Sequence, residues 1–328
     1  MSNQTKKLLC LAIVLALLLC SAACKTADSR PPDTSAQYDE KAAVTAESEP
    51  AAAETAVSPT ETPEAEPTAV PAEQTTSFAE TTVVSIPECT VTLKSFDPDG
   101  DWGPTFTALL ENNMDKALTF VVGGATVNGI MCNPFFYEEV AAGKKANTAI
   151  DWYDSNLEAC GILYPEQIVL NFRIYDPNDW SLDPVFDDNV VIDLQNTSDG
   201  PSTQDVVYEH GYEEQVLVQT DTITVIVKDF DPDSDYGPAL TLYCENNTDQ
   251  NLSFSMDDVS VNGFMCDPYW AVTIWPHAKS YSTATWYTDD LTENGITQFE
   301  NVEFKLRVYD ADDWSSNDLL SETYTLTF

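Results

Sequence analysis

The chain has 328 residues, 43% of them apolar and 11% aromatic, with 55 acidic against 14 basic side chains for a formal charge of −41. That length and apolar content can fill the cores of two ordinary domains. The charge excludes nucleic acid as a partner, because phosphates would be repelled and no basic stripe offsets the repulsion; cations are the natural counter-species.

Residues 1–23 hold no acid, carry Lys6 and Lys7, and run almost wholly apolar from Leu8 to Leu19. This is the pattern of an export signal, too short for the roughly 20 apolar residues of a stable membrane span. Ser21-Ala22-Ala23-Cys24 resembles the lipobox of bacterial lipoproteins, with Ser21 where Leu is commoner. Cys24 is the expected lipidation site, and its acyl chains would tether the product to the extracellular face of the cell membrane. Cys20 is the weaker choice, since bulky Leu19 would occupy the cleavage position.

Residues 24–82 are rich in Ala, Thr, Glu, Pro and Ser and have no periodic apolar face. Too little burial is available to offset chain entropy, so a disordered, extended stalk is expected there. Cleavage at Cys24 would remove two lysines and no acid, making the balance still more negative.

Two copies of one unit follow. Val127-Asn128-Gly129-Ile130-Met131-Cys132-Asn133-Pro134 returns 134 positions later as Val261-Asn262-Gly263-Phe264-Met265-Cys266-Asp267-Pro268. The copies align without a gap from Phe96 against Phe230 to Ser181 against Ser315. The expected organisation is repeat 1 at 83–196, a turn-forming linker at 197–215 and repeat 2 at 216–328, two separate domains on one string. Apolar residues alternate with period two, as at Leu118, Phe120 and Val122 or Leu252, Phe254 and Met256, which marks half-buried strands. Turn residues such as Gly103-Pro104 and Asn112-Asn113 divide each copy into about seven of them, the spacing of an antiparallel β-sandwich. One short helix per copy is expected at Ser155–Gly161 and Asp289–Gly295, with Ser155 as N-cap, Glu158 three residues on and glycine at the end.

Glu245-Asn246-Asn247, Val259–Gly263, Asn294-Gly295-Ile296 and Phe304–Asp310 together resemble an uncharacterised β-sandwich repeat of surface lipoproteins of Firmicutes, especially clostridia. The resemblance covers nearly all of both copies. It implies two tandem immunoglobulin-like domains on a surface lipoprotein, and no chemistry. Copy one departs at Gly123-Gly124-Ala125-Thr126, where copy two has Asp257-Asp258-Val259-Ser260, and a bent or bulged strand is expected there.

Functional candidates are few. The Asn-Gly pairs read as tight turns, since Asn-Gly tolerates positive φ. Asp97, Asp99 and Asp101, matched by Asp231, Asp233 and Asp235, alternate in a loop as hard cations require, so Ca2+ is the cofactor to consider. They do not form an EF-hand loop, whose sixth and twelfth positions would be Trp102 and Ala108, or Tyr236 and Leu242. The acidic turns at Asp176 and Asp310 are expected at the opposite end of each sandwich, out of reach of the same ion. Trp270 and Trp275 have no tryptophan in copy one, so they are the first candidates for a ligand face. Trp152 matches Trp286, Trp180 matches Trp314 and Trp102 matches Tyr236, as core aromatics and loop anchors would. Cys89, Cys132, Cys160, Cys244 and Cys266 are odd in number, which rules out a complete disulfide framework, and read as small buried hydrophobes. His210 lies in the linker and His277 in a turn, with no nucleophile elbow, paired metal histidines or phosphate loop. Arg173 and Arg307 are expected to pair with nearby acids. The expectation is a non-enzymatic surface protein that binds a protein or cell-wall glycan, with calcium-dependent carbohydrate binding as the alternative.

Overall fold

The computed structural model describes residues 76–179, 181–197, 200–313 and 315–328; the signal segment, Cys24, most of the expected stalk, Trp180 and Trp314 lie outside the described residues. The strands of the first half are β1 (Thr76–Ser77), β2 (Thr81–Ser85), β3 (Cys89–Asp97), β4 (Thr105–Asn112), β5 (Leu118–Val127), β6 (Ile130–Met131), β7 (Tyr137–Val140) and β8 (Lys145–Asp151). Helix α1 (Asp154–Ala159) precedes β9 (Gln167–Tyr175), β10 (Phe186–Asp193) and β11 (Gln195–Asn196). The second half repeats this order as β12 (Gln215–Gln219), β13 (Ile223–Asp231), β14 (Ala239–Asn246), β15 (Leu252–Val261), β16 (Phe264–Met265), β17 (Ala271–Ile274) and β18 (Lys279–Thr285). Helix α2 (Thr288–Glu293), β19 (Asn301–Asp310) and β20 (Leu320–Thr327) complete it. No helix among the described residues is long and apolar enough to cross a membrane.

The protein is all-β, built as two antiparallel sandwiches with one short helix each. In repeat 1 the sheet β2-β3-β4-β8 faces a sheet in which β10, β9 and β5 pair in turn and β6 and β7 pair with β5. Period-two patterning does the work here: β4 buries Phe106, Ala108 and Leu110 on one face, and β9 answers with Ile168, Leu170 and Phe172. Each such side chain contributes about 1.5–3 kcal/mol by leaving water. Trp152 and Trp286 sit in the two cores, each donating its indole N–H to a main-chain carbonyl, Cys132 O or Cys266 O, at 2.9 Å.

Four expectations are corrected. The repeats match in nine strands, β2–β10 and β12–β20, rather than about seven, because the turn residues at 128–129 and 133–136 set off the short β6 and β7, and β2 and β12 add an edge before the first long strand. Among the described residues pairing is already present at Thr76, before the expected end of the stalk at residue 82, because β1 pairs with β11. Ser155 is not the N-cap: α1 is preceded by Tyr153 and has no side-chain cap. The helix starts early because Asp154 N donates to Trp102 O at 3.0 Å, and Thr288 N does the same to Tyr236 O at 3.1 Å. Finally, the strand irregularity is not peculiar to copy one: β5 shifts register between Val122 and Gly124, and β15 shifts between Asp257 and Ser260.

The repeats are joined more closely than a hinge would allow. β6 of repeat 1 pairs in parallel with β18 of repeat 2 through Ile130 and Lys279, so one nine-stranded sheet runs through both. Lys279 N donates to Gly129 O at 3.0 Å. Met131 packs against the core of repeat 2, and Tyr281 packs against the core of repeat 1. Trp275 lies over Gly124, where any Cβ would come within 2.7 Å of the indole. The linker is bound as well: Leu163 N donates to Ser202 O at 2.9 Å, and Gln204 N to Gly161 O at 2.8 Å.

Candidate binding surfaces

The Asn-Gly stretches are turns, with Asn128 and Asn262 at φ 53° and 51°. They also clamp a neighbouring loop. Asn128 Nδ2 donates to Tyr164 O at 2.8 Å, and its Oδ1 accepts Glu166 N and Gln167 N. Asn262 repeats the pattern with Gln298, Glu300 and Asn301. Every polar atom of the side chain is thus used by the fold, and none is aimed at a ligand.

The acidic loops serve their own turns. Asp97 Oδ1 accepts Asp99 N at 3.1 Å, and Asp231 Oδ1 accepts Asp233 N at 2.9 Å. Among the described residues no group of three or more Asp, Glu, His or Cys is gathered as metal ligands. The turns at Asp176 and Asp310 lie at the far end of each sandwich: β3 ends opposite Thr105 at the start of β4, whereas β9 ends opposite Thr119, beside the turn that follows the end of β4. Asp176 is instead paired with Lys116 at 2.9 Å, and its carboxyl is held below the usual range by Asn178 N–H first and then Lys116.

Neither candidate indole offers a free face. Trp270 is buried, with its N–H donated to Ser282 Oγ at 3.0 Å. Trp275 is half-buried against Gly124 of the other repeat. Arg307 is gripped by Asp318 and Asp257 at 2.8 and 3.0 Å, which pushes its pKa up, and Arg173 reaches Asp187 at 3.6 Å. The described cysteines are all free and buried. Burial raises Cys89 to about 11. The Cys160 thiol donates to Met131 O at 3.9 Å, and Cys132 is held protonated by its interaction with Cys160 and by burial.

What remains on the surface is aromatic, and it recurs. Trp102, Phe135 and Tyr153 are 66%, 69% and 44% exposed; their counterparts Tyr236, Tyr269 and Tyr287 are 70%, 76% and 43% exposed. Each ring is held by main chain at the helix-bearing end of its sandwich. Trp102 and Tyr236 sit in the acidic loops and are tied to the helix start through their carbonyls. Phe135 pairs with Asp151 and Tyr269 with Thr285 as isolated bridges, while Tyr153 and Tyr287 immediately follow the buried core tryptophans. Trp102 and Tyr153 meet edge-on, 6.2 Å apart at 80°, and Tyr269 and Tyr287 lie 6.4 Å apart at 41°. Exposed Asp99, Asp101 and Asp154 flank the first cluster, and Asp233, Asp235 and Asp289 the second. Sequence reading noticed only Trp102 and Tyr236 here. Phe135, Tyr153 and their counterparts fall at strand margins, where period-two patterning does not say which way a ring points, although their recurrence at the 134-residue offset is a signal.

No family model matches the chain, and no curated protein matches it. Among solved structures, the Salmonella enterica SafA pilin in complex with the SafB chaperone aligns with 68% of this chain and 89% of its own, at 11% identity and a TM-score of 0.20. The assignment to two sandwiches rests on the strand pairing itself.

Proposed function

We propose that this chain is an exported, lipid-anchored, non-enzymatic surface protein that binds a basic partner protein through two aromatic clusters, one on each sandwich. The observation that carries this reading is the exposure of three aromatic rings at the same three positions of both repeats. Large aromatics left in water at matched sites are a cost to solubility that a partner's surface would offset. The rings are tilted rather than coplanar, which suits side chains inserting between them better than the flat face of a sugar. Flanking carboxylates favour Lys and Arg, which attract both the acids and the ring faces. Export and the Cys24 lipid come from the residues of the N-terminal segment, and the resemblance to surface lipoproteins supports them.

The test uses the full chain with a Lys/Arg-rich peptide, read by fluorescence, beside a neutral glycan oligomer. Trp102→Ser with Tyr153→Ser and Tyr236→Ser with Tyr287→Ser leave every charge in place. They are expected to weaken peptide binding about tenfold or more, as loss of contact aromatics does. Binding of the peptide unchanged by these substitutions, or of the glycan alone, would overturn the reading. Cys24→Ala is expected to release the chain into the medium, and its retention on cells would refute the tether.

A further inference from the structure

Each sandwich has the same main-chain edge after its helix, beside a groove that stays open in both repeats, and only in repeat 1 is that edge paired. There the segment after β11 runs along it. Ser202 O accepts Leu163 N at 2.9 Å, Thr203 bridges to Ile162, and Gln204 N donates to Gly161 O at 2.8 Å. Ser202 Oγ also donates to Glu166 at 2.5 Å, and the backbone runs so close to Gly161 that a Cβ there would collide with Gln204 O. Glycine at φ 66° is therefore required by the passing strand as well as by the helix end.

Repeat 2 keeps the receiving half of this arrangement without the strand. Gly295 stands at φ 69° with nothing within 4 Å of its missing Cβ. Ile296 and Glu300 match Ile162 and Glu166. Gly295 O and Thr297 N, the counterparts of the two main-chain groups used in repeat 1, find no hydrogen-bond partner among the described residues. The neighbouring groove is open in both repeats, about 480 Å³ in repeat 2 and about 410 Å³ in repeat 1, so the difference lies in the edge alone. Ile162 is buried beside the paired strand, whereas Ile296 is only half-buried.

We infer that the unpaired edge at Gly295 and Thr297 is a docking site for an extended polypeptide strand of the linker's own chemistry, a small hydroxyl residue followed by a polar one, supplied by a second polypeptide. The strand's hydroxyl residue accepts Thr297 N–H with its carbonyl and reaches Glu300 with its side chain. Two residues on, its main-chain N–H donates to Gly295 O. Backbone pairing supplies the affinity, and a passage as close over Gly295 as that of Gln204 over Gly161 sets the register. None of Gly295, Thr297 and Glu300 belongs to the aromatic clusters, so the Ser variants of those clusters leave these groups in place.

The experiment titrates the full chain with a synthetic peptide of residues 200–207, following hydrogen exchange along the chain. The same peptide N-methylated at the position of Gln204 is the control, so the protein is never altered. Expected are saturable binding, slowed exchange at the Thr297 amide, and affinity at least about tenfold weaker for the methylated peptide, the loss of one main-chain bond and its geometry. No saturable binding up to millimolar peptide, equal binding of the methylated peptide, or slowed exchange confined to residues 161–163 would each overturn the inference.

Discussion

Substituting Gly161→Ala and Gly295→Ala adds one methyl group at equivalent points of the two repeats, and the structure says the costs will differ. Both positions hold a left-handed backbone, at φ 66° and 69°, so the conformational penalty of about 1 kcal/mol is common to both. At Gly295 nothing lies within 4 Å of the new atom, and the penalty stands alone. At Gly161 the methyl meets Gln204 O and comes within 3.2 Å of Val206 Cγ2, so the strand at 202–206 has to lift. Lifting it gives up the bonds from Gln204 N to Gly161 O and from Leu163 N to Ser202 O, at about 1 kcal/mol each. It also uncovers Ile162, now 5% exposed. The total at Gly161 is about 3 kcal/mol, and the difference between the variants is about 2 kcal/mol, free of the shared strain. Urea unfolding of the full chain, followed by far-ultraviolet circular dichroism, measures both. A difference below about 0.5 kcal/mol would mean that the linker contributes nothing by pairing there, and the reasoning from the paired to the unpaired edge would fail.

Asn246→Ala is expected to cost about 3 kcal/mol in the same assay, because the fully buried amide serves Gln250 O, Ile274 O and Trp275 O at 2.8–3.0 Å and accepts Thr248 N; a loss under 1 kcal/mol would refute it. His210 bonds Asp229 Oδ2 at 2.5 Å, and this bond raises its pKa above 6.5. Stability from a raised pKa is complete below the ordinary value and is lost as pH rises through the folded value. Wild-type Tm should therefore fall relative to His210→Gln as pH climbs from 6.5 upward, and parallel pH profiles would remove the histidine from the account. Oxidised glutathione is expected to take two electrons and two protons from Cys132 and Cys160 and leave a disulfide between them, since the two thiols lie close enough to shift each other's ionisation. Peptide mapping that finds the pair still reduced after Cys89 or Cys244 has reacted would contradict this.

Much of the fold was legible in the residues because duplication prints every constraint twice. Period-two patterning located the long strands, and of the readings open to the matched Trp152 and Trp286, core aromatics or a binding face, their burial supports the core. The inter-repeat contact was not legible, for a physical reason: Gly124 and Trp275 are 151 positions apart, and each looked like a private departure from the repeat. Only the parallel pairing of β6 with β18 brings the missing side chain under the added ring. The linker's turn-forming composition described its backbone but concealed that main-chain pairing to Gly161 and Leu163 holds it. The aromatic clusters escaped because exposure at strand margins depends on backbone direction, which alternation alone does not carry.

The shared nine-stranded sheet makes the two aromatic clusters points on one ruler rather than ends of a tether. When two sites are joined by a floppy chain, engagement of the second falls away as the chain lengthens. Here the separation is set by the join at Gly129 and Lys279, so residues inserted near Tyr208 would barely alter it. On the proposed function, partners would be selected by the spacing of their basic patches, and breaking the Trp275 contact would blunt that selection while leaving each cluster's own grip unchanged.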